Sequence, residues 1–257
     1  MPRLADIYKS ILDVDFYLRI SKGEINGFRI LRIAGINNSV PAAGLVDISQ
    51  IPSTNIILNP NNIQLRVVSS TANDTAGGTG IRTLEIVYLD NNFNLQEETI
   101  IMAGVTPVNT VAVNINRIWW MHALTVGSNA VADGNISLTN LAGTVTYEYI
   151  IAGENQSLSA RFCIPNNKIG YILNWSSSAY AQSERIRLRA TVDRLDRTLI
   201  PGVFTFQDVM ALSNNALFSN FKSPLRCPSQ SEIKVSSSAS VAAGTVGCSF
   251  EVLLIDN

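Results

Sequence analysis

The side chains of this chain with intrinsic reactivity are few, and their spacing argues against each chemistry in turn. Glu97 and Glu98 are a paired carboxylate. They sit next to each other on a strand-like run, so they face opposite ways and cannot close on one bond as the two acids of a glycosidase must. His122 is the single histidine, and no Gly-x-Ser-x-Gly accompanies it. It reads as a structural imidazole, not as the base of a triad. Cys163, Cys227 and Cys248 are odd in number, widely spaced and without a C-x-x-C pair. They read as reduced, partly buried thiols, and with one histidine they make no zinc set. Asp74 and Asp133 lie in Gly/Asn-rich loops whose oxygens suit calcium, but not at the spacing of a known calcium loop. No Gly-rich loop opens a helix to hold phosphate. The expectation is a protein with no catalytic, cofactor-binding or metal-binding residues.

Other residues suit adhesion. Trp119 and Trp120 are adjacent, and on a regular strand they point to opposite faces. One then fills a core and the other lies outside, where it anchors a subunit contact or stacks on a sugar ring. Trp175 offers the same choice. Arg185, Arg187 and Arg189 alternate with Ile186, Leu188 and Ala190, a basic stripe on one strand face. It is either solvated beside neighbouring carboxylates or docked on an acidic patch of a partner. Lys222 and Arg226 extend it. Leu4, Ile7, Tyr8 and Ile11 recur at helical spacing, giving an apolar stripe that must pack on this chain or on another subunit.

Strands must position these residues. Arg82, Leu84, Ile86 and Tyr88 alternate with Thr83, Glu85 and Val87, and Glu98, Ile100 and Met102 return after the Asp90–Asn94 turn. Strands are expected at about 63–69, 81–89, 96–102, 114–126, 136–138 and 144–151. A second set is expected at about 157–163, 169–176, 184–192, 202–209, 216–222, 231–237 and 246–255, with Gly- and Asn-rich turns between. Phe16, Leu18 and Ile20 read as a further strand, and Asn37–Asn62, with Pro41, Pro52 and Pro60, as a long irregular connection. The fold class is all-β: two tandem antiparallel β-sandwiches, jelly-roll-like, with an N-terminal arm. The divisions are 1–48 for the arm and its short strands, 49–153 for the first sandwich and 154–257 for the second.

Hydrophobic residues make up 46% and charged residues 15% of the 257, against about 25% charged in a typical domain. This suits either a surface engaged with neighbours or a sandwich with polar loops. Nineteen basic against twenty acidic residues leave a net charge of −1, without the basic excess that binding to phosphate backbones requires. Asp6, Lys9, Asp13 and Asp15 exclude an apolar signal core near Met1, and the apolar run Ile118–Val126 is too short to span a bilayer. The expected partners are therefore neither nucleic acid nor membrane.

Several segments resemble a protein family of tailed bacteriophages, chiefly short-tailed ones. They are N-D-T-A-G-G-T-G with I-R-T-L-E-I-V-Y-L-D, G-V-T-P-V-N-T, I-N-R-I-W-W-M, and A-G-E-N-Q-S-L-S-A-R-F-C-I-P. T-V-G-S-N…G-N-I-S-L, F-K-S-P-L-R-C-P and the closing F-E-V-L-L-I-D-N complete the set. The resemblance covers about residues 60–257, and more faintly D-F-Y-L-R-I-S-K-G-E-I-N-G-F near the start. It implies a virion structural protein made in the bacterial cytoplasm and brings no catalytic motif. Joined to the adhesive residues, it leads to the expectation of a capsid decoration or cement protein. Its partners would be the major capsid protein, itself as a dimer or trimer, or both. The alternative is a tail- or fibre-associated module that binds host glycan through an outward tryptophan.

Overall fold

The computed structural model describes residues 14–42, 44–52, 56–239 and 244–257. It is all-β, as the alternation demands. Among the described residues one helix, α1 (Val14–Ser21), leads into β1 (Phe28–Val40) and β2 (Val46–Asp47). Then follow β3 (Leu65–Ser69), β4 (Ile81–Asp90), β5 (Leu95–Ile101), β6 (Val108–Asn109), β7 (Ile115–Val126), β8 (Ile136–Asn140) and β9 (Thr146–Ile150). The chain closes with β10 (Arg161–Cys163), β11 (Lys168–Ala190), β12 (Thr205–Cys227), β13 (Glu232–Ala239) and β14 (Gly244–Asp256).

Two small antiparallel sheets, ordered β6-β3-β8-β9 and β5-β4-β7, face each other across Leu65, Leu84, Ile86, Ile118, Met121 and Ile136. The apolar run Ile86-Val87-Tyr88-Leu89 does not alternate, and the structure shows why. Ile86 and Tyr88 enter this core, while Val87 and Leu89 enter a second core on the other face of the same strand. A strand buried on both faces has no use for polar residues at every second position.

The second core belongs to a seven-stranded sheet ordered β1-β14-β11-β13-β10, with β12 on β11 and β2 on β13. Its central strand, β11, pairs with β14 through residues 168–180 and with β13 through residues 184–190, while β12 follows both halves. The sheet folds on itself where residues 180–182 of β11 bulge against Asn214. The two halves then confront each other across Trp175, Ile186, Leu188, Val235, Phe250 and Val252. The expected breaks at 177–183 and 210–215 are therefore bends within two long strands, because that stretch lacks the Gly and Pro of a turn and keeps its ladder bonds on either side of the bulge.

Two further readings are corrected. Phe16–Ile20 is helical, not a strand. Phe16, Tyr17 and Ile20 pack on Phe28, Leu173 and Leu253 on the outer face of the sheet, leaving Leu18 exposed. That is the i, i+3, i+4 pattern of a helix stripe. Within the 1–48 segment, β1 lies along β14 from Phe28↔Ile255 to Val40↔Gly244, and β2 pairs with β13. This unit is thus built from chain on both sides of the first sandwich. Leu4, Ile7, Tyr8 and Ile11 lie outside the described residues.

β1 crosses close to the backbone at Ala160, just before β10. A Cβ on Gly35 would lie 2.5 Å from the Ala160 nitrogen and 2.9 Å from the Ile48 oxygen, closer than backbone can yield. Gly35→Ala is expected to destabilise the protein by roughly 1–3 kcal/mol through overpacking, read as a fall in the urea midpoint with an unchanged slope.

Candidate interaction surfaces

Trp119 and Trp120 do not diverge. Val87 pairs with Trp120 and Tyr88 with Ile118, so β7 carries one extra residue at this point, and the bulge turns both indoles to the same side. Their ring centroids are 5.4 Å apart, and Trp119 lies 4.5 Å from Phe162. The Trp119 indole N–H donates to the Cys163 carbonyl at 2.9 Å. Trp119 is buried and Trp120 half-buried against the same core. Trp119 therefore locks the first sandwich to the second and does not face a partner. Trp175 is also fully buried and donates to Asp208 at 2.8 Å, so neither it nor Trp119 offers the outward platform a glycan reading requires.

Around this junction lies a polar seam. Arg117 of β7 meets Glu232 of β13 at 2.8 Å, and Asn59 donates to the same carboxylate at 2.9 Å. Arg161 of β10 meets the fully buried Glu148 of β9 at 2.8 Å and donates to the Leu58 and Tyr147 carbonyls at 2.9 and 2.7 Å. Asp47 of β2 accepts from Arg189 (2.8 Å), Lys234 (2.7 Å), the Ser236 hydroxyl (2.6 Å) and the Ile57 amide (2.9 Å). Arg117, Arg161, Lys234 and Glu232 line a cavity of about 260 Å³ with Phe204 and the 56–61 segment. Each of these charges already has a protein partner. Asp47 and Glu148 escaped the sequence reading. One lies in the stretch expected to be irregular, and the other is a lone acid in Thr-Tyr-Glu-Tyr-Ile. Only spatial pairing with Arg189, Lys234 and Arg161 reveals them.

The arginine stripe is graded. Arg189 turns in to Asp47 and over Phe204. Arg187 donates to the Ser238 hydroxyl at 3.0 Å and lies 5.6 Å from the Phe206 ring centroid. Arg185 is exposed. Burial first, then the charges of Arg185 and Arg189, lower the Arg187 pKa. On the adjoining strand β12, Arg185 pairs with Ala211, Arg187 with Val209 and Arg189 with Phe206. Phe206 and Val209 are exposed, so arginine and apolar groups share one outward face.

The remaining reactive groups are buried or engaged by neighbouring protein groups. Asp74 is fully buried and accepts from the Ser69 hydroxyl (2.6 Å) and the amides of Ile81 (2.8 Å), Asp133 (3.0 Å) and Gly134 (2.9 Å). Protein donors thus take up the carboxylate in place of the calcium its loop chemistry allowed. A Cβ on Gly80 would stand 2.0 Å from an Asp74 oxygen, which explains the glycine there. Hydrogen bonds from Thr79 and Asn129 hold Asp133 below the ordinary carboxylate range. His122 lies 3.5 Å from Glu85. Burial pushes the Cys227 thiol up to about 12 and raises Cys163 and Cys248 as well, so all three are poor nucleophiles. Glu184 is buried beside β13, where desolvation raises its pKa against the opposing hydrogen bond from Ser237 at 2.7 Å.

No protein-family model and no curated protein matches this chain. Solved structures set beside it include the PBSX exported protein XepA, at 11% identity over 85% of this chain and 86% of that one, with a TM-score of 0.19. The STIV MCP aligns at 10% identity over 88% and 97%, with a TM-score of 0.23. The infectious bursal disease virus VP2 subviral particle aligns at 10% over 95% and 78%, with a TM-score of 0.18. At such scores the superpositions carry no argument about fold or function. Among the described residues no helix is long and apolar enough to cross a membrane.

Two predictions follow from the buried charges. Asp47→Ala strands Arg189 and Lys234 and is expected to cost about 3–5 kcal/mol. Arg185→Ala, on the exposed end of the stripe, should stay within about 0.5 kcal/mol of the parent; urea titration of both separates seam from surface. For Glu184 the folded pKa lies above the unfolded one. The folded state therefore holds its proton more tightly, and stability falls as pH rises from the ordinary carboxyl range through the raised value. Glu184→Gln removes that loss, so the variant should gain on the parent as pH rises through this window and keep its gain at neutral pH. Parallel stability curves for the two proteins would refute the assignment.

Proposed function

We propose that the chain is a non-enzymatic structural protein of a tailed-phage particle, acting by adhesion as a capsid decoration or cement protein. The observation that carries the reading is the outer face of β11 and β12, where Arg185 and Arg187 stand beside Phe206 and Val209. Arginine and large apolar groups together are what the centres of protein interfaces collect, while lysine and carboxylates are thinned out. Among the described residues, Arg189 alone of the three arginines is matched by a carboxylate, Asp47. The unmatched charge on Arg185 and Arg187 would steer the face towards an acidic patch on a capsid subunit. The segments between about residues 60 and 257 that resemble tailed-phage virion proteins supply the setting.

The mechanism is linkage. A protein that binds the assembled lattice more tightly than its separated subunits stabilises the lattice by mass action. A stable contact of this kind buries on the order of 1,000 Å² or more. The rigid double sandwich suits it, because no folding entropy is lost at the moment of docking.

The test is particle-based. Hundreds of copies per particle are expected from quantitative mass spectrometry, and particles lacking the protein should release their genome at lower temperature. Arg185→Glu with Arg187→Glu should reproduce that loss while leaving the purified protein folded. Particles with a handful of copies, or with unchanged thermal release, would count against cementing.

A further inference from the structure

The charges of the polar seam do not cancel. Its four ion pairs join four cations, Arg117, Arg161, Arg189 and Lys234, to three carboxylates, Glu232, Glu148 and Asp47. The surplus sits at Asp47, which takes both Arg189 and Lys234. The Ser236 hydroxyl and the Ile57 amide also donate to this carboxylate, so its acceptor sites are filled. The same two cations share the ring of Phe204, at 5.4 and 4.2 Å from its centroid. Solvent does little to balance them. The Lys234 and Arg161 side chains are only 9% and 7% exposed, and a buried charge without a counter-charge is costly.

Unused donors lie beside the surplus. The Nε–H groups of Arg161 and Arg189 are buried and find no acceptor among the described residues. Arg161 and Lys234 both line the cavity of about 260 Å³ at the junction of the two sandwiches. That is far more room than one water needs, and slightly less than pockets that enclose drug-sized molecules. Ile118, Phe162 and Phe204 face the same space. Leu58 and Asn61 of the lining are exposed, which gives the cavity a way to solvent.

We propose that this cavity binds one small organic monocarboxylate, its charge set against Lys234 and Arg161 and its apolar body against Phe162 and Phe204. Small-molecule sites combine apolar walls with a few converging polar groups in this way. One negative charge cancels the surplus, and an anionic acceptor makes the strongest hydrogen bonds with guanidinium and ammonium donors. β7 comes from the first sandwich and β10 and β13 from the second unit, so a bound carboxylate ties the two together. The site does not depend on any role in a particle.

Sodium benzoate is the probe and benzamide its uncharged match. The unfolding temperature of the full chain should rise saturably with benzoate, by roughly 5 °C or more at about a hundredfold excess over the dissociation constant. Benzamide, and sodium chloride at equal ionic strength, should leave it unchanged. Saturation-transfer NMR on the parent protein should show the benzoate ring against protein, with acetate displacing it. Lys234→Met removes the surplus charge and leaves Arg189 on Asp47. It should weaken benzoate binding by about tenfold or more, and Lys234→Arg should retain it. An equal rise in sodium chloride would mean surface screening and overturns the proposal. So does the absence of a saturable rise and of saturation transfer in the parent, a result that needs no variant to fold. Binding that benzamide matches, or that a folded Lys234→Met variant keeps, overturns it too. A benzoate response confined to a chain lacking residues 2–13 would assign the counter-charge to Asp6 or Asp13, and the small-molecule site would be lost.

Discussion

One strand has to serve two layers. β11 meets β14 with its first half, β13 with its second and β12 along both. A straight strand of twenty-three residues would outrun any small core, so the bulge at residues 180–182 is the condition for the second unit to exist. Once β11 bends, the core has two walls, and the order β1-β14-β11-β13-β10 follows from which half each neighbour joins. Among the described residues β12 ends the sheet, so its outer surface is exposed. The face proposed to be adhesive is thus a by-product of how the core is closed.

The junction with the first sandwich solves a different problem. β4 and β7 must be apolar on both faces, because one face fills their own sandwich and the other closes the second core through Val87, Leu89 and Trp119. Where apolar contact ends, the polar seam begins, with Asp47, Glu148 and Glu232 each held by arginine or lysine. Desolvating these ions is costly, and their attraction offsets the cost only with good geometry and full hydrogen bonding. The return is orientation. A greasy contact tolerates sliding, whereas a guanidinium forked onto a carboxylate and two carbonyls, as at Arg161, fixes one docking angle.

Part of the small charge complement is spent inside. Arg117, Arg161, Arg189 and Lys234 are engaged in the seam, which leaves Arg185 and Arg187 beside exposed apolar groups as the distinctive outer chemistry. That face lies on β11 and β12.

Period-two alternation, turn chemistry at Asp90–Asn94 and Gly143, and the low charge were sufficient to identify an antiparallel β protein and to place most of its strands. These are local properties, set by side-chain sterics and by which residues tolerate a turn. Three features were not legible, and the reason is common to them. Phe-Tyr-Leu-Arg-Ile-Ser satisfies strand and helix periods alike, and only the apolar face of β1, β11 and β14 beneath it selects the helix. Trp119 and Trp120 read as divergent until one residue too many against β4 turned both inward. Asp47 looked like any loop aspartate until Arg189 and Lys234, more than a hundred residues away, arrived beside it. Whether a residue sits in a strand is decided within a few neighbours along the chain. Which face it shows, and to what, depends on bulges and contacts that exist only once distant strands have paired.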